Sequence, residues 1–245
     1  MNEVIQLLKA HRSIRKFTTR DISKECLSEI IEAAQWASSS TFVQAYSIIG
    51  IRESETKKRL AALCGEQPYI ESCAVFLVFC ADLHRLEHAC RMHQTDMVGE
   101  YTESFIMATV DAALAAQNAM IAAESLGLGG VYIGGIRNHP EKVSEMLMLP
   151  NYVYPVFGMA LGYPDQDPEQ KPRLPMAVVY KEEKYEDSED IDKIIAYDKI
   201  ISDYYTRRTK GKRSDTWTEQ MAEKMQNETR PHMKEFLQKR NFLLK

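Results

Sequence analysis

The stretch Ala74-Val75-Phe76-Leu77-Val78-Phe79-Cys80-Ala81 is apolar at every position. A strand with one wet face alternates apolar and polar residues, so an unbroken run predicts a strand covered on both sides, at the core of a sheet. Residues 46–51 are rich in β-formers, and the charged residues 53–63 read as an exposed helix. Upstream, Ser23 is placed to cap a helix over residues 23–37 whose Leu27, Ile30, Ile31 and Ala34 share one face. Val4, Leu7 and Leu8 predict a first helix that gives way to a loop before Ile14. Downstream, residues 104–126 are alanine-rich and apolar on more than one side, which predicts a long helix in the middle of the protein or at a subunit seam. Gly127-Leu128-Gly129-Gly130 ends it as a C-cap turn. A strand at 131–133, a helix at 140–147 and a strand at 153–161 complete an α+β layered domain. Pro164, Pro168, Pro172 and Pro175 then impose an extended segment. Acidic residues and helix patterns at 191–205, 217–225 and 231–240 mark a helical extension, so the expected division is 1–180 and 181–245.

Composition excludes several functions. A chain of 245 residues, 44% hydrophobic and 27% charged, can bury a sizeable core. Its formal charge of -4 argues against a surface built wholly for nucleic acid or anionic membrane, so any cationic site is local. Five cysteines without a CxxC spacing are expected as reduced thiols in the cytoplasm. The opening residues Met1 to Leu8 carry an early acid and a helical face rather than the basic and apolar regions of a signal peptide. Thr109, Asp111, Gln117 and Asn118 interrupt the apolar run at 105–123, which reads as too polar to span a membrane.

The densest group of anion-binding side chains is His11-Arg12-Ser13-Ile14-Arg15-Lys16-Phe17, at the end of the first helix. Guanidinium forks and a hydroxyl suit phosphate oxygens or an electron-rich heterocycle, and equally a solvated basic helix end. Gly127-x-Gly129 follows a helix instead of a strand, with Tyr132 in the third glycine's place, so it is no dinucleotide fingerprint. Gly134 and Gly135, just past a strand, leave backbone open to a flat ligand. His84, His88 and His93 near Cys80 and Cys90 lack the glutamate of a zincin, and no metal is expected. No GxSxG, Walker loop or SxxK is present. Gln67-Pro68-Tyr69 reads as a loop whose amide and ring can bond to and stack on a heterocycle, and Ser38-Ser39-Ser40-Thr41 as a hydroxyl-rich helix stop. Lys171-Pro172-Arg173-Leu174-Pro175 holds two cations on a proline-stiffened segment, and residues 207–213 form a basic loop with five cations in seven positions.

Together, His11-Arg12-Ser13-x-Arg15, Ser38-Ser39-Ser40, Gln67, the run from Glu124 to Gly135 and Lys171-Pro172-Arg173-Leu174-Pro175 resemble the flavin-dependent nitroreductase family, within it the oxygen-insensitive NADPH nitroreductase and NADPH:FMN oxidoreductase group. The resemblance spans nearly the whole chain. It implies a central mixed sheet surrounded by helices, and an interlocked homodimer with exchanged C-terminal arms and non-covalent FMN at the interface. By position, His11, Arg12, Ser13 and Arg173 match contacts to the FMN phosphate or tail, and Arg15 and Lys171 match cations at the ring's pyrimidine edge. Gln67 with its neighbour Tyr69 matches the ring-bonding loop. Ser39 matches a hydroxyl given across the interface, and Tyr132, Ile133, Gly134 and Gly135 match the strand end against the flavin.

A cation beside the reduced ring favours that form; at about 4 Å and an effective dielectric near 20 the pair is worth roughly 4 kcal/mol, on the order of 80 mV for two electrons. The cofactor then carries the chemistry, with no catalytic side chain. The resemblance implies a ping-pong transfer from NADPH to nitroaromatics, quinones or free flavin, with Arg207 and either Lys212 or Arg213 on the extra phosphate of NADPH. Two readings compete. A dedicated NAD(P)H:flavin reductase supplying free reduced FMN, or a flavin-dependent dehalogenase, would share the fold. A nucleotide- or RNA-binding protein using Arg12, Arg15 and the 207–213 loop would be colourless and steeply salt-dependent.

Overall fold

The computed structural model describes residues 2–245; Met1, which opens the N-terminal run discussed above, lies outside the described residues. Contacts divide the chain into two compact units, Met1–Pro168 with Arg230–Lys245, and Glu169–Thr229.

In the first unit β1 (Tyr46–Ile51), β2 (Val75–Asp82), β3 (Gly129–Ile133) and β4 (Val153–Gly162) form one sheet in the order β1-β2-β4-β3. All three pairings are antiparallel, whereas a mixed sheet was expected. The reason is topological. β2 and β3 run in the same direction, but β4 inserts between them and replaces one parallel contact with two antiparallel ones.

Every residue of β2 is buried, as its composition requires. Its side chains alternate between two cores. Phe76, Val78 and Cys80 meet Leu60 of α3 (Ser54–Leu63), Ile70 of α4 (Pro68–Ser72) and Val143 of α7 (Pro140–Met146). Val75, Leu77 and Phe79 meet Ile30 and Ala34 of α2 (Lys24–Gln35) and the alanines of α6 (Thr102–Ser125). Burying each large apolar side chain contributes about 1.5–3 kcal/mol, so this strand alone anchors both layers. α2 begins where Ser23 Oγ accepts from Cys26 N at 3.1 Å.

The 24-residue α6 is long and apolar enough to cross a membrane by length and composition. Its inward face, from Ala108 through Ala112, Ala116 and Ala119 to Ala123, is fully covered by protein. Small side chains let neighbouring backbone approach closely, while Ile106, Val110 and Leu114 stay exposed on the other side. Gly127 closes α6 at φ +77°, with Leu128 N donating to Ala123 O at 2.9 Å. Gly129 and Gly130, expected in the same cap, are instead the first residues of β3, where a Cβ would collide with Ile14 and Leu161.

The remaining helices of this unit are α1 (Glu3–Ala10), α5 (His84–Met92) and, after the second unit, α11 (Met233–Lys239). Phe236 and Leu237 of α11 join Tyr154, Ala108 and Ala112 in a third core. The second unit holds α8 (Met176–Val179), α9 (Asp190–Arg208) and α10 (Trp217–Met225), centred on Tyr197, Ile201, Tyr204 and Tyr205.

Candidate functional site

α1 ends at Ala10, and His11 turns the chain outward with φ -50° and ψ 132°. Its Nδ1 lies 2.6 Å from Glu124 Oε1 on the last turn of α6, with the two side chains 27% and 13% exposed. This pair fixes residues 11–15 to the start of β3, where Ile14 N also donates to Gly130 O at 2.9 Å. Arg12 donates from Nε to Ala10 O at 3.3 Å, and its guanidinium pairs with Asp167. Ser13 is half-buried, and Arg15 is exposed with no carboxylate partner among the described residues. Arg12, Ile14, Glu124, Gly129 and Asp167 face a cleft of about 260 Å³.

The other end of β3 carries a second group. Past the buried Ile133 the chain enters a 3-10 turn, Gly134–Arg137. A Cβ on Gly135 would lie 2.3 Å from Cys64 O and 2.7 Å from Gln67 Nε2. The expected opening for a ligand is therefore filled by the turn before α4 at Gly135. At Gly134 the nearest atom, on the Arg137 side chain, is 3.5 Å away. Gln67 and Pro68 were expected in a loop, but Gln67 is the N-cap of α4 and Pro68 its first residue, where a missing N–H does no harm. Gln67 Nε2 donates to Cys64 O at 2.8 Å, and Tyr69 OH donates to Gln67 Oε1 at 2.6 Å. One amide hydrogen and one carbonyl lone pair of Gln67 are left for another partner. Tyr132 turns to the α2–α6 layer, its ring edge-on to Phe157 at 5.3 Å and its hydroxyl 3.4 Å from Gln117 Oε1. Burial, and then the charge of Glu124, push its phenol well above the usual range.

Ser39 opens a different loop. Asp111, buried in α6, accepts from Ser40 N and Ala45 N at 3.0 Å each. Between these ties Thr41, Phe42 and Gln44 hold φ of +44°, +63° and +54°, a region that costs non-glycine residues energy. The sequence reading noted Asp111 only as a polar interruption; an acid inside an otherwise apolar helix was the available signal.

In the second unit, Lys171 Nζ and Arg213 Cζ lie 5.2 and 4.4 Å from the centre of the Tyr205 ring. Tyr197 OH donates to Pro172 O at 2.9 Å, which holds the proline-stiffened segment, and Arg173 is exposed. Arg207 and Arg208 belong to the last turn of α9 and not to the basic loop; cations are favoured there by the helix dipole. Arg207 pairs with Glu169 at 2.9 Å, and Arg213 with Asp215 at 2.7 Å from its Nε. Both pairs raise the guanidinium pKa. Lys212 is exposed and has no carboxylate partner among the described residues.

His84 and His88 lie edge to face, 4.4 Å between ring centres, on α5. Among the described residues no group of three His, Cys, Asp or Glu side chains is arranged to hold a metal ion. All five cysteines are free thiols.

Residues 8–163 match the Nitroreductase family, and residues 171–245 match the Nitroreductase family, C-terminal domain. The chain is 44% identical over 247 residues to the FMN reductase (NADPH) of Bacillus subtilis, covering 99% of each. It is 42% identical over 243 residues to the oxygen-insensitive NADPH nitroreductase of Salmonella typhimurium, again covering 99% of each. Among solved structures, NfrA1 of B. megaterium superposes with a TM-score of 0.97 at 50% identity, covering 99% of this chain and 100% of that one.

Proposed function

The chain belongs to the nitroreductase family, and from that premise we propose that it is an FMN-dependent oxidoreductase using NADPH to reduce nitroaromatics, quinones or free flavin in a ping-pong cycle. Non-covalently bound FMN would supply the two-electron chemistry. The side chains bind, orient and tune.

The observation that carries this reading is the arrangement along β3. Phosphate-type donors at residues 11–15 sit beside its first residues, and Gln67, with one amide hydrogen and one carbonyl lone pair to spare, sits beside the turn that follows its last. The five residues of β3 themselves span about 13 Å, a length on the scale of a flavin ring and its ribityl phosphate. The donor chemistry fits: His11, Arg12 and Ser13 serve the phosphate, and Arg15 serves the ring's electron-rich edge. Gln67 and Tyr69 serve the ring itself, while the backbone of Tyr132, Ile133, Gly134 and Gly135, whose side-chain positions other than that of Gly134 are taken up by the protein's own packing, forms the wall beside it. Glu124 holds the His11 imidazole in place. Asp167, 87% exposed, is a weak partner that a phosphate can replace on Arg12. For the second unit we assign flavin contacts to Lys171 and Arg173, and nicotinamide-phosphate contacts to Arg207 with Lys212 or Arg213. Lys212 is free for that role, whereas Arg213 is already oriented by Asp215 and Tyr205.

A homodimer is part of this proposal, with Ser39 given across the interface and residues 181–245 serving the dimer and the NADPH site. Ile106, Val110 and Leu114 make an exposed apolar stripe on α6, Val4, Ile5 and Leu8 another on α1, and Trp36 and Phe42 are each 82% exposed. Apolar surface of this kind marks an interaction face. The free thiols suit a reducing cytoplasm.

The test is absorbance of the protein after saturation with FMN and gel filtration, followed by anaerobic bleaching with NADPH and with NADH. Flavin retained and bleached supports the proposal; folded protein that elutes colourless overturns it. Comparing turnover with free FMN, menadione and a nitrofuran separates the nitroreductase reading from the dedicated flavin reductase, which the name of the B. subtilis relative favours.

A further inference from the structure

We propose that a pocket at the β1–β2 margin of the sheet binds an oxyanion of the phosphate class. None of its residues is assigned above to flavin or nicotinamide. The cavity measures about 350 Å³, and its lining includes Arg20, Arg52 and Lys57 with the hydroxyl-bearing residues Thr18, Thr19 and Ser72.

Charge accounting gives the pocket its sign. Its one lining acid, Asp21, is committed: Oδ1 accepts from Arg52 Nη1 at 2.7 Å and from Ile22 N at 2.8 Å. Arg52 also donates from Nη2 to Ile22 O at 2.7 Å, so this arginine and this aspartate neutralise and fix each other. Arg20 and Lys57 have no carboxylate partner among the described residues, and the pocket carries two uncompensated positive charges. Arg20 is held by its cation–π contact, Cζ 3.8 Å from the centre of the Tyr163 ring, which leaves its fork available.

Lys57 is the more telling group. It rises from the first part of α3, is 8% exposed, and donates from Nζ to Cys73 O at 2.5 Å. An ammonium carries three donors and is costly to bury unless paired with an opposite charge. A single carbonyl satisfies one donor and none of the charge. An oxyanion between Lys57 and Arg20, with hydroxyl donors around it, supplies the missing partner. A guanidinium fork, a point cation and hydroxyls recognise tetrahedral oxygens rather than an apolar or cationic ligand.

The experiment is calorimetric titration of FMN-saturated protein with inorganic phosphate at ionic strength held constant with sodium chloride. Saturating the protein with flavin beforehand separates this site from any cofactor phosphate site. A saturable isotherm of one phosphate per chain, with flavin absorbance unchanged after desalting, is the expected result. Arg20→Gln should weaken binding tenfold or more, and Arg20→Lys should recover part of that loss. Lys57→Gln should abolish binding; if that variant does not fold, Thr19→Val with Arg20→Gln carries the test. A parallel titration with ribose 5-phosphate identifies the source: tighter binding than phosphate points to a phosphorylated metabolite, weaker binding to the free anion, and either supports the site. Unsaturable heats, Arg20→Gln within twofold of the parent protein, or phosphate binding that releases flavin would each overturn it.

Discussion

Replacing Asp111 by alanine removes the acceptor for two backbone donors at once. Hydrogen bonds to a charged group contribute about 1.5–3 kcal/mol each, so the two ties from Ser40 and Ala45 are worth about 3–6 kcal/mol together. Against them stand the left-handed conformations of Thr41, Phe42 and Gln44, at about 1–2 kcal/mol each, again about 3–6 kcal/mol in sum. The two terms are of similar size. The loop therefore keeps its shape because of one carboxylate, and Asp111→Ala should release the loop rather than unfold the protein. Releasing the loop relaxes only part of that strain, and with about half of the lost bonding offset the expected net destabilisation is about 1.5–3 kcal/mol. Asp111→Asn retains one acceptor and should lose about half of that. Urea unfolding at fixed protein concentration would show a lower midpoint at unchanged slope. Limited chymotrypsin digestion should show faster cleavage after Phe42. A midpoint shift below about 0.5 kcal/mol, with cleavage at Phe42 no faster, would refute the reasoning.

Further outcomes are expected elsewhere in the chain. Asp167→Asn frees Arg12 from its exposed partner and should tighten FMN binding by as much as about fivefold in a flavin-fluorescence titration, since such pairs are worth up to about 1 kcal/mol; weaker binding would count against the phosphate role of Arg12. Gly135→Ala forces a methyl against Cys64 O and displaces Gln67, so a loss of about 1–3 kcal/mol in stability should accompany weaker flavin retention; unchanged retention would detach Gln67 from the ring. Arg207→Ala should raise the Michaelis constant for NADPH about tenfold and leave that for NADH alone, as loss of one charge-assisted bond predicts; equal effects would sink the assignment. Burial pushes the Cys64 thiol up to about 12 and the Cys73 thiol up to about 11, so at pH 8 Ellman's reagent should modify Cys26 and Cys90 alone in folded protein. Because the folded state holds these protons more tightly than the unfolded chain, their stabilisation is complete below pH 9 and declines as pH rises from 9 towards 12. A urea midpoint that stays flat across that window would contradict this.

Elements with a local cause were legible in the sequence. The apolar run of β2 needed only its composition, and α2 needed only Ser23 and one apolar face. Features that depend on distant neighbours were not. Antiparallel pairing follows from β4 slipping between β2 and β3, which no window of sequence records. Gly129 and Gly130 resemble a helix cap until Ile14 and Leu161 occupy their missing side chains. α4 hides behind Pro68, a residue that suits a loop and a helix start alike. At the candidate site the residue types at 11–15 announced anion chemistry, but not that Glu124 would hold His11 or that Asp167 would occupy Arg12. The ties of Asp111 and the lone carbonyl on Lys57 became visible only when chain segments remote in sequence were brought together.

The strand order also bears on biosynthesis. β2 gains one neighbour early, from β1, but its other edge waits for β4, and Asp82 and Val153 lie 71 positions apart. At about 5–20 residues per second a ribosome needs roughly 4–14 seconds to deliver that second strand. For that interval the most hydrophobic segment of the nascent chain presents an unsealed row of amides and carbonyls, the feature that recruits other chains into aggregates. Slower translation should therefore lengthen the hazard and lower soluble yield, even though the finished sheet protects β2 on every side.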